Sequence, residues 1–396
     1  MSNNNVLVIA IYSHPEYYPP TLNAITYLSR YYDAIYIVHR NITGFDWQYP
    51  DNVKLLHIGK LLPVREAEQR SILYKIRSFW SFSRLLVKTI RLQRAKTLLV
   101  YDCMPWLFYR LQKHRLPKDL FLWYHNHDVL EKQYIRKGSI AWQAWQSEQK
   151  IFSKLDIFSL PAVERQACFP MDQFRGKFFF LPNYPSKAVY GPYNKQPKEM
   201  HGPVRLLYQG SIGSLHGLEE IIPLLGNTVA GKSLELVLKG FISSEYKVEL
   251  QQLALKHGVQ DKLIFLPPTG YREVILNAQT CHIGIGIHRK QDIMNKTLGT
   301  ASNKIYEYAA SGMPVLLYDN EHFRATLGKR SWVFYTDTSD GSLLECLEQI
   351  ITQYPGLSVA ALRDFEGGLC FEHYFNPLLE YLSGKINQPA KVAASR

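Results

Sequence analysis

The chain has 396 residues, 46% hydrophobic and 20% charged. That is too long for one ordinary core, predicts two domains of about 150–200 residues each, and excludes a disordered chain. A formal charge of +12 favours anionic partners: nucleic acid, acidic lipid or phosphorylated substrates. Residues 6–12 (VLVIAIY) are a continuous apolar run stopping at SHPEYYPP, the pattern of a buried parallel strand entering a loop. Residues 22–31 have helical spacing, and 34–38 (AIYIV) predict a second strand. Further strands are expected at 97–101 (TLLVY), 120–124 (LFLWY) and 178–181 (FFFL), with helical stretches between.

Residues 182–203 carry Pro182, Pro185, Pro192, Pro197 and Pro203, the composition of a linker. The alternation then restarts, with strands expected at 204–209, 234–238, 263–266, 282–287, 314–318 and 331–335. Strand–helix alternation on both sides of the linker predicts an α/β chain of two Rossmann-like, doubly wound parallel-sheet domains. The expected division is an N-terminal Rossmann-like domain over 1–183, a linker over 184–203 and a C-terminal Rossmann-like domain over 204–365. A C-terminal helix over 366–383 is expected to pack back toward the first domain, with a flexible tail over 384–396. Ligands of such sheets bind beyond the carboxyl ends of the strands, which makes a cleft between the domains the expected site.

Five scattered cysteines, Cys103, Cys168, Cys281, Cys346 and Cys370, form no CxxC pair, arguing for a reducing compartment and against a thiolate zinc site. MSNNN has no basic leader, and no run approaches the ~18 apolar residues of a membrane span. The expected location is the cytoplasm, peripheral on the inner face of the membrane.

Five stretches can carry chemistry. In VRLLYQGSIGSLHGLEEII (204–222), Gly210, Ser211, Gly213 and Gly217 lie between a strand and a helix. Such glycines let the backbone approach a phosphate at a helix N-terminus, or serve turn geometry alone. In TASNKIYEYAASGMPVLL (300–317), Ser302 or Asn303 caps a helix that stops at Gly312. Lys304 lies in the first turn, where the helix dipole disfavours a cation unless an anion is present. Glu307 is one turn further in, where a carboxylate can accept bonds from two vicinal hydroxyls; the alternative is a surface ion pair. In LFLWYHNHDV (120–129), His125, His127 and Asp128 follow a strand end, as proton acceptors or sugar contacts. A zinc pair and a purely structural role are the rivals. In SHPEYYPPT (13–21), either Ser13 and His14 face a ligand or the prolines and tyrosines merely shape a pocket.

The fifth stretch, 69–101, contains no Asp or Glu. Arg70, Arg77, Arg84 and Arg91 recur every seven residues with Lys88 beside them. Ile72, Ile76, Phe79, Leu86 and Ile90 fall on one face. This predicts a long basic amphipathic helix, either a dock for anionic lipid through Arg77, Arg84, Lys88 and Arg91 or an ordinary solvated face. No nucleic-acid-binding motif accompanies it.

LPNYP, YQGSIGSLHGLEEII and SNKIYEYAASGMPVLL, in this order and spacing, resemble the linker, glycine loop and donor site of retaining GT-B glycosyltransferases of family 4, which makes 1–183 the acceptor domain and 204–365 the donor domain. The resemblance spans roughly 180–350. It implies transfer of a sugar from a UDP- or GDP-sugar to a glycan or polyprenyl-linked acceptor, with retention, no cofactor and no metal, in surface-glycan synthesis such as lipopolysaccharide or exopolysaccharide. It places Glu307 on the ribose, and Ser302, Asn303 and Lys304 on the pyrophosphate. His127 and Asp128 fall beside the donor sugar and acceptor. By position it puts Tyr271, in PPTGYRE, near the base. Two departures stand out. The family's earlier glutamate falls on Gly299, and its basic pair falls on Leu215 and His216, so Lys304, Lys239 or His216 must supply the charge. The alternatives are a non-catalytic nucleotide-sugar or glycan-binding protein and a GT-B-fold nucleotide-sugar epimerase; the latter needs acidic groups around the sugar.

Overall fold

The computed structural model describes residues 5–193, 198–290 and 292–386. Part of the expected linker, including Pro197, and all but the start of the expected tail lie outside the described residues. The chain divides into two compact units, Met1–Pro182 with His373–Arg396, and Asn183–Glu372.

Unit 1 is built on β1 (Val6–Ile11), β2 (Ala34–Val38), β3 (Val53–Leu56), β4 (Thr97–Tyr101), β5 (Phe121–His125), β6 (Ile157–Leu160) and β7 (Lys177–Phe180). Its helices are α1 (Pro19–Leu28), α2 (Val64–Gln69), α3 (Ile72–Leu92), α4 (Trp106–Gln112) and α5 (Ile140–Ile151). The strands pair in the order β3-β2-β1-β4-β5-β6-β7, all parallel. All six residues of β1 are buried, because helices cover both faces of a parallel sheet. Strand order reverses direction between β1 and β4, which opens a crevice at their carboxyl ends.

Unit 2 holds α6 (Lys187–Tyr190), β8 (Val204–Ser211), α7 (Leu218–Leu224), β9 (Thr228–Val229), β10 (Lys232–Phe241), α8 (Ser244–Lys256), β11 (Leu263–Leu266) and α9 (Tyr271–Gln279). It continues through β12 (Ile283–Gly286), α10 (Ile293–Lys296), α11 (Leu298–Ala301), α12 (Asn303–Ala310), β13 (Val315–Tyr318), α13 (Glu321–Leu327), β14 (Val333–Thr336) and α14 (Asp340–Gly367). The main sheet runs β11-β10-β8-β12-β13-β14, with β9 paired to β10 off this path. Its reversal lies between β8 and β12. The last helix, α15 (Phe371–Ile386), begins in unit 2 and continues in unit 1, where Phe375 meets Trp123 and Tyr381 meets Phe179.

The strands β3, β6 and β9 were not expected from sequence. β3 is half-exposed, β6 has Ser159 breaking its short apolar run, and β9 has only two residues, too short for periodicity to register. The helix expected at the Ser302 cap is α12. It stops before Gly312, whose φ of +66° suits a helix terminator without a Cβ. β8 and β10 approach through Gly210 and Gly240. A Cβ on Gly240 would lie 2.0 Å from the Gly210 carbonyl oxygen, at a φ of +138°, so the crossing requires glycine.

Candidate active site

In unit 2, the loop after β8, the residues after β12 and the start of α12 converge beside the reversal. Lys304 Nζ donates to the Tyr208 hydroxyl at 2.9 Å and to His288 Nε2 at 3.3 Å. It also lies 4.2 Å from the Tyr208 ring centroid. His216 stacks on Tyr208 with centroids 5.0 Å apart and meets His288 edge-on at 4.8 Å. The Gly213 amide donates to His216 Nδ1 at 3.2 Å, and the Tyr208 hydroxyl lies 2.8 Å from the same nitrogen. Nδ1 is therefore an acceptor, and the neutral ring carries its proton on Nε2. In the same way His288 accepts at Nε2 and keeps its proton on Nδ1, which is buried without a partner. Gly210 faces Lys304, with room for a Cβ at 3.7 Å from Cε but a φ of +117°.

Lys304 is the cation of this corner, and no Asp or Glu lies within ion-pair distance of it among the described residues. Desolvation lowers Lys304 to about 7, with Glu307 opposing. Burial first, then Lys304 and Lys290, drives His216 down to about 3, and burial with the same neighbours keeps His288 neutral. Ser302 stands at the N-cap of α12 but makes no side-chain capping bond, and Asn303 Oδ1 is buried without a partner. The first-turn amides are thus left to another acceptor.

Glu307 takes its hydrogen bonds from other residues. It is 5% exposed, its Oε2 accepts from Gln209 Nε2 at 2.6 Å, and the Tyr271 hydroxyl lies beside it. Desolvation raises it to about 7, against these hydrogen bonds and Lys304. Tyr271 is itself buried against Tyr190. Lys239, buried in β10 opposite Gln209, is lowered by desolvation, with Glu273 opposing. Ser211 is exposed at the end of β8. Gly299 packs against α13. Its amide donates to His322 Nδ1 at 3.1 Å, and a Cβ there would lie 2.5 Å from both His322 Nδ1 and Thr326 Oγ1.

In unit 1 a cavity of about 190 Å³ opens at the β1/β4 reversal, its lining including Ser13, Tyr18, Tyr101, Asp102 and Asp128. Asp102, at a φ of +61°, accepts from the amides of His127 at 2.7 Å and Asp128 at 3.2 Å. His127 lies behind it, stacked between Tyr18 at 4.4 Å and Tyr101 at 4.9 Å. Its Nδ1 faces Asp102 Oδ2 at 3.3 Å and its Nε2 faces Thr21 Oγ1 at 2.9 Å. A carboxylate only accepts, so Nδ1 carries the proton and Nε2 receives the Thr21 hydroxyl. The Tyr18 hydroxyl is hydrogen-bonded to Asp128. Desolvation and the Asp102 carboxylate raise Asp128.

His125 is 5% exposed, with Nδ1 on Ser159 Oγ at 2.9 Å, and burial holds it neutral. His14 is buried too, accepting from the Glu16 amide at 3.4 Å. Among the described residues no group of three or more His, Cys, Asp or Glu is arranged to hold a metal ion. Tyr208, His288, Asp102 and Tyr18 were not singled out from sequence. His288 and Asp102 each follow a strand that was, so the rule that selected His125–Asp128 reaches them as well.

No protein-family model and no curated protein sequence matches the chain. Solved structures do match. A glycosyltransferase from Rickettsia africae is similar over 98% of this chain and 100% of its own, at 10% identity and a TM-score of 0.67. WaaG, a glycosyltransferase involved in lipopolysaccharide biosynthesis, is similar over 97% and 100%, at 14% identity and 0.63. Anabaena HepE, solved in complex with UDP, is similar over 96% and 100%, at 12% identity and 0.63. At such identities the likeness shows the fold. It is the GT-B fold, with two Rossmann-like parallel-sheet units.

Proposed function

We propose that the chain is a glycosyltransferase. Unit 2 holds a nucleotide-diphosphate sugar such as a UDP- or GDP-sugar, and the sugar passes with retention, without a metal, to a hydroxyl of a glycan or polyprenyl-linked acceptor. The observation that carries this reading is Lys304, a cation in the first turn of a side-chain-uncapped helix, flanked by His216 and His288 and, among the described residues, ion-paired to no carboxylate. A half-buried cation without an ion-pair partner is costly, and a diphosphate supplies one. As the bond from sugar carbon to phosphate oxygen breaks, negative charge grows on the leaving diphosphate. Lys304, the amides of Asn303 and Lys304 and the His216 Nε2–H would stabilise that charge. Asp102 and Asp128, lining the unit 1 cavity, supply acceptors for hydroxyl groups of the sugar-accepting molecule; His127 positions Asp102. The fold supports the reading, as does the UDP and glucose held by HepE.

The test is thermal unfolding with UDP, GDP and ADP. Ligand at about 100 times its Kd should add about 2.7 kcal/mol, and Lys304→Ala should remove the effect. If none of the three moves the transition, the reading fails. One observation favours the rival non-catalytic binder: the position of the family's first glutamate is closed by His322 and Thr326. Nucleotide stabilisation without release of sugar from any of a panel of UDP- and GDP-sugars would select the binder.

A further inference from the structure

A second surface, on α3, shares no residue with the unit 1 cavity or with the cluster around Lys304. The sequence pattern puts Ile72 and Ile76 with Phe79, Leu86 and Ile90 on one apolar face. The fold separates them. Phe79, Phe82, Leu86 and Ile90 are buried, whereas Ile72 is 59%, Leu73 66%, Ile76 50% and Trp80 48% exposed. At about 100° per residue these four side chains share one sector of about 100°, and Arg77, Arg84, Lys88 and Arg91 occupy the next, about 60° wide. None of these four cations has a carboxylate within ion-pair distance among the described residues. Beside the second half of the helix lies a groove of about 670 Å³, in which Arg84, Lys88, Arg91 and Arg115 surround Ile58 and Leu92. Its lining contains no Asp or Glu.

We infer that this face docks on an anionic phospholipid bilayer. In this arrangement α3 lies in the interface plane. Ile72, Leu73, Ile76 and Trp80 enter the acyl boundary, and the four cations of the groove receive lipid phosphates. Charge alone would also suit a nucleic acid, but three exposed aliphatic residues next to the cations give nothing to a base or a phosphate. They gain by leaving water for hydrocarbon. Among the described residues no helix is long and apolar enough to cross a membrane, so the association proposed is with the surface. The inference does not depend on the glycosyltransferase reading: docking needs no nucleotide, and nucleotide binding needs no lipid.

The experiment is flotation of the full chain with vesicles of phosphatidylcholine, with and without phosphatidylglycerol, at low and high salt. Binding is expected with phosphatidylglycerol only, weakened by salt. Arg84→Ala with Lys88→Ala should weaken it about 25-fold, roughly fivefold for each cation. Leu73→Ser with Ile76→Ser, both at exposed positions, should weaken it while leaving the unfolding temperature unchanged. Brominated acyl chains should quench part of the tryptophan emission, and Trp80→Phe should abolish that part. Wild-type chain that stays below the gradient with phosphatidylglycerol at low salt overturns the inference. So does flotation that survives all three sets of substitutions. Displacement from vesicles by single-stranded RNA at lower concentration than lipid reassigns the surface to nucleic acid and also overturns it.

Discussion

Lys304 is where the burial of a charge has its clearest consequence. Its ammonium is lowered from 10.5 to about 7 by desolvation, so between these values the folded state binds fewer protons than the unfolded one. The contribution of this group to stability therefore rises with pH from about 7 to about 10.5. On the proposed reading donor binding has the opposite sign, because only the cation would hold the diphosphate. Affinity for a nucleotide-diphosphate sugar, whose phosphates do not titrate here, should fall above pH 7 by up to about tenfold per pH unit. Calorimetry should show proton uptake on binding at pH 8, and Lys304→Met should lose both slopes. Glu148 is a second buried charge, 2% exposed and bonded to the Tyr124 hydroxyl. Desolvation raises it from 4.5 to about 7. Its contribution is complete below pH 4.5 and is lost as pH rises to about 7. Glu148→Gln should leave stability at pH 4.5 unchanged and raise it at pH 8 by up to about 3 kcal/mol, measurable by urea titration at the two pH values.

The elements that frame these residues depend on close backbone approaches. Gly240→Ala forces a Cβ onto the Gly210 carbonyl at a left-handed φ, so it should cost about 3 kcal/mol or more. Gly44 also has a positive φ, +74°, but a Cβ there would meet nothing within 4 Å; Gly44→Ala should cost about 1 kcal/mol. Thermal unfolding of the pair separates steric collision from conformational preference. Helix α3 shows how an element divides its labour. One sector buries Phe79 and Phe82 edge-on against Tyr12, at 5.4 and 5.2 Å, and the rest of its apolar surface is left to the solvent side.

On the proposed reading a donor nucleotide acts on unit 2 directly. Amide hydrogen exchange with UDP or GDP should show added protection at 209–217, 286–290 and 302–307, where the amides face the proposed diphosphate. Equal protection everywhere, or none, would count against the assignment. The charge of +12 is likewise unevenly placed, with the acid-free stretch 69–101 contributing α3 and its cations.

Strand–helix alternation and the start and stop of α12 were legible in the sequence, because each is written in neighbouring residues: apolar runs, a Ser302 before the helix, a Gly312 after it. The same locality explains why Lys304 and the loops after β5 and β8 stood out. What surrounds those residues was not legible. His288 and Tyr208 reach Lys304 from positions 16 and 96 residues away, Gln209 reaches Glu307 from 98, and Thr21 reaches His127 from 106. Likewise, helical spacing grouped Ile72 with Phe79, yet only the sheet beneath α3 determines which of them finds a core. Periodicity and capping are properties of consecutive residues, so the chain alone determines its elements. Burial, ionisation and the orientation of a side chain depend on what the fold brings against it, and these only the tertiary structure decided.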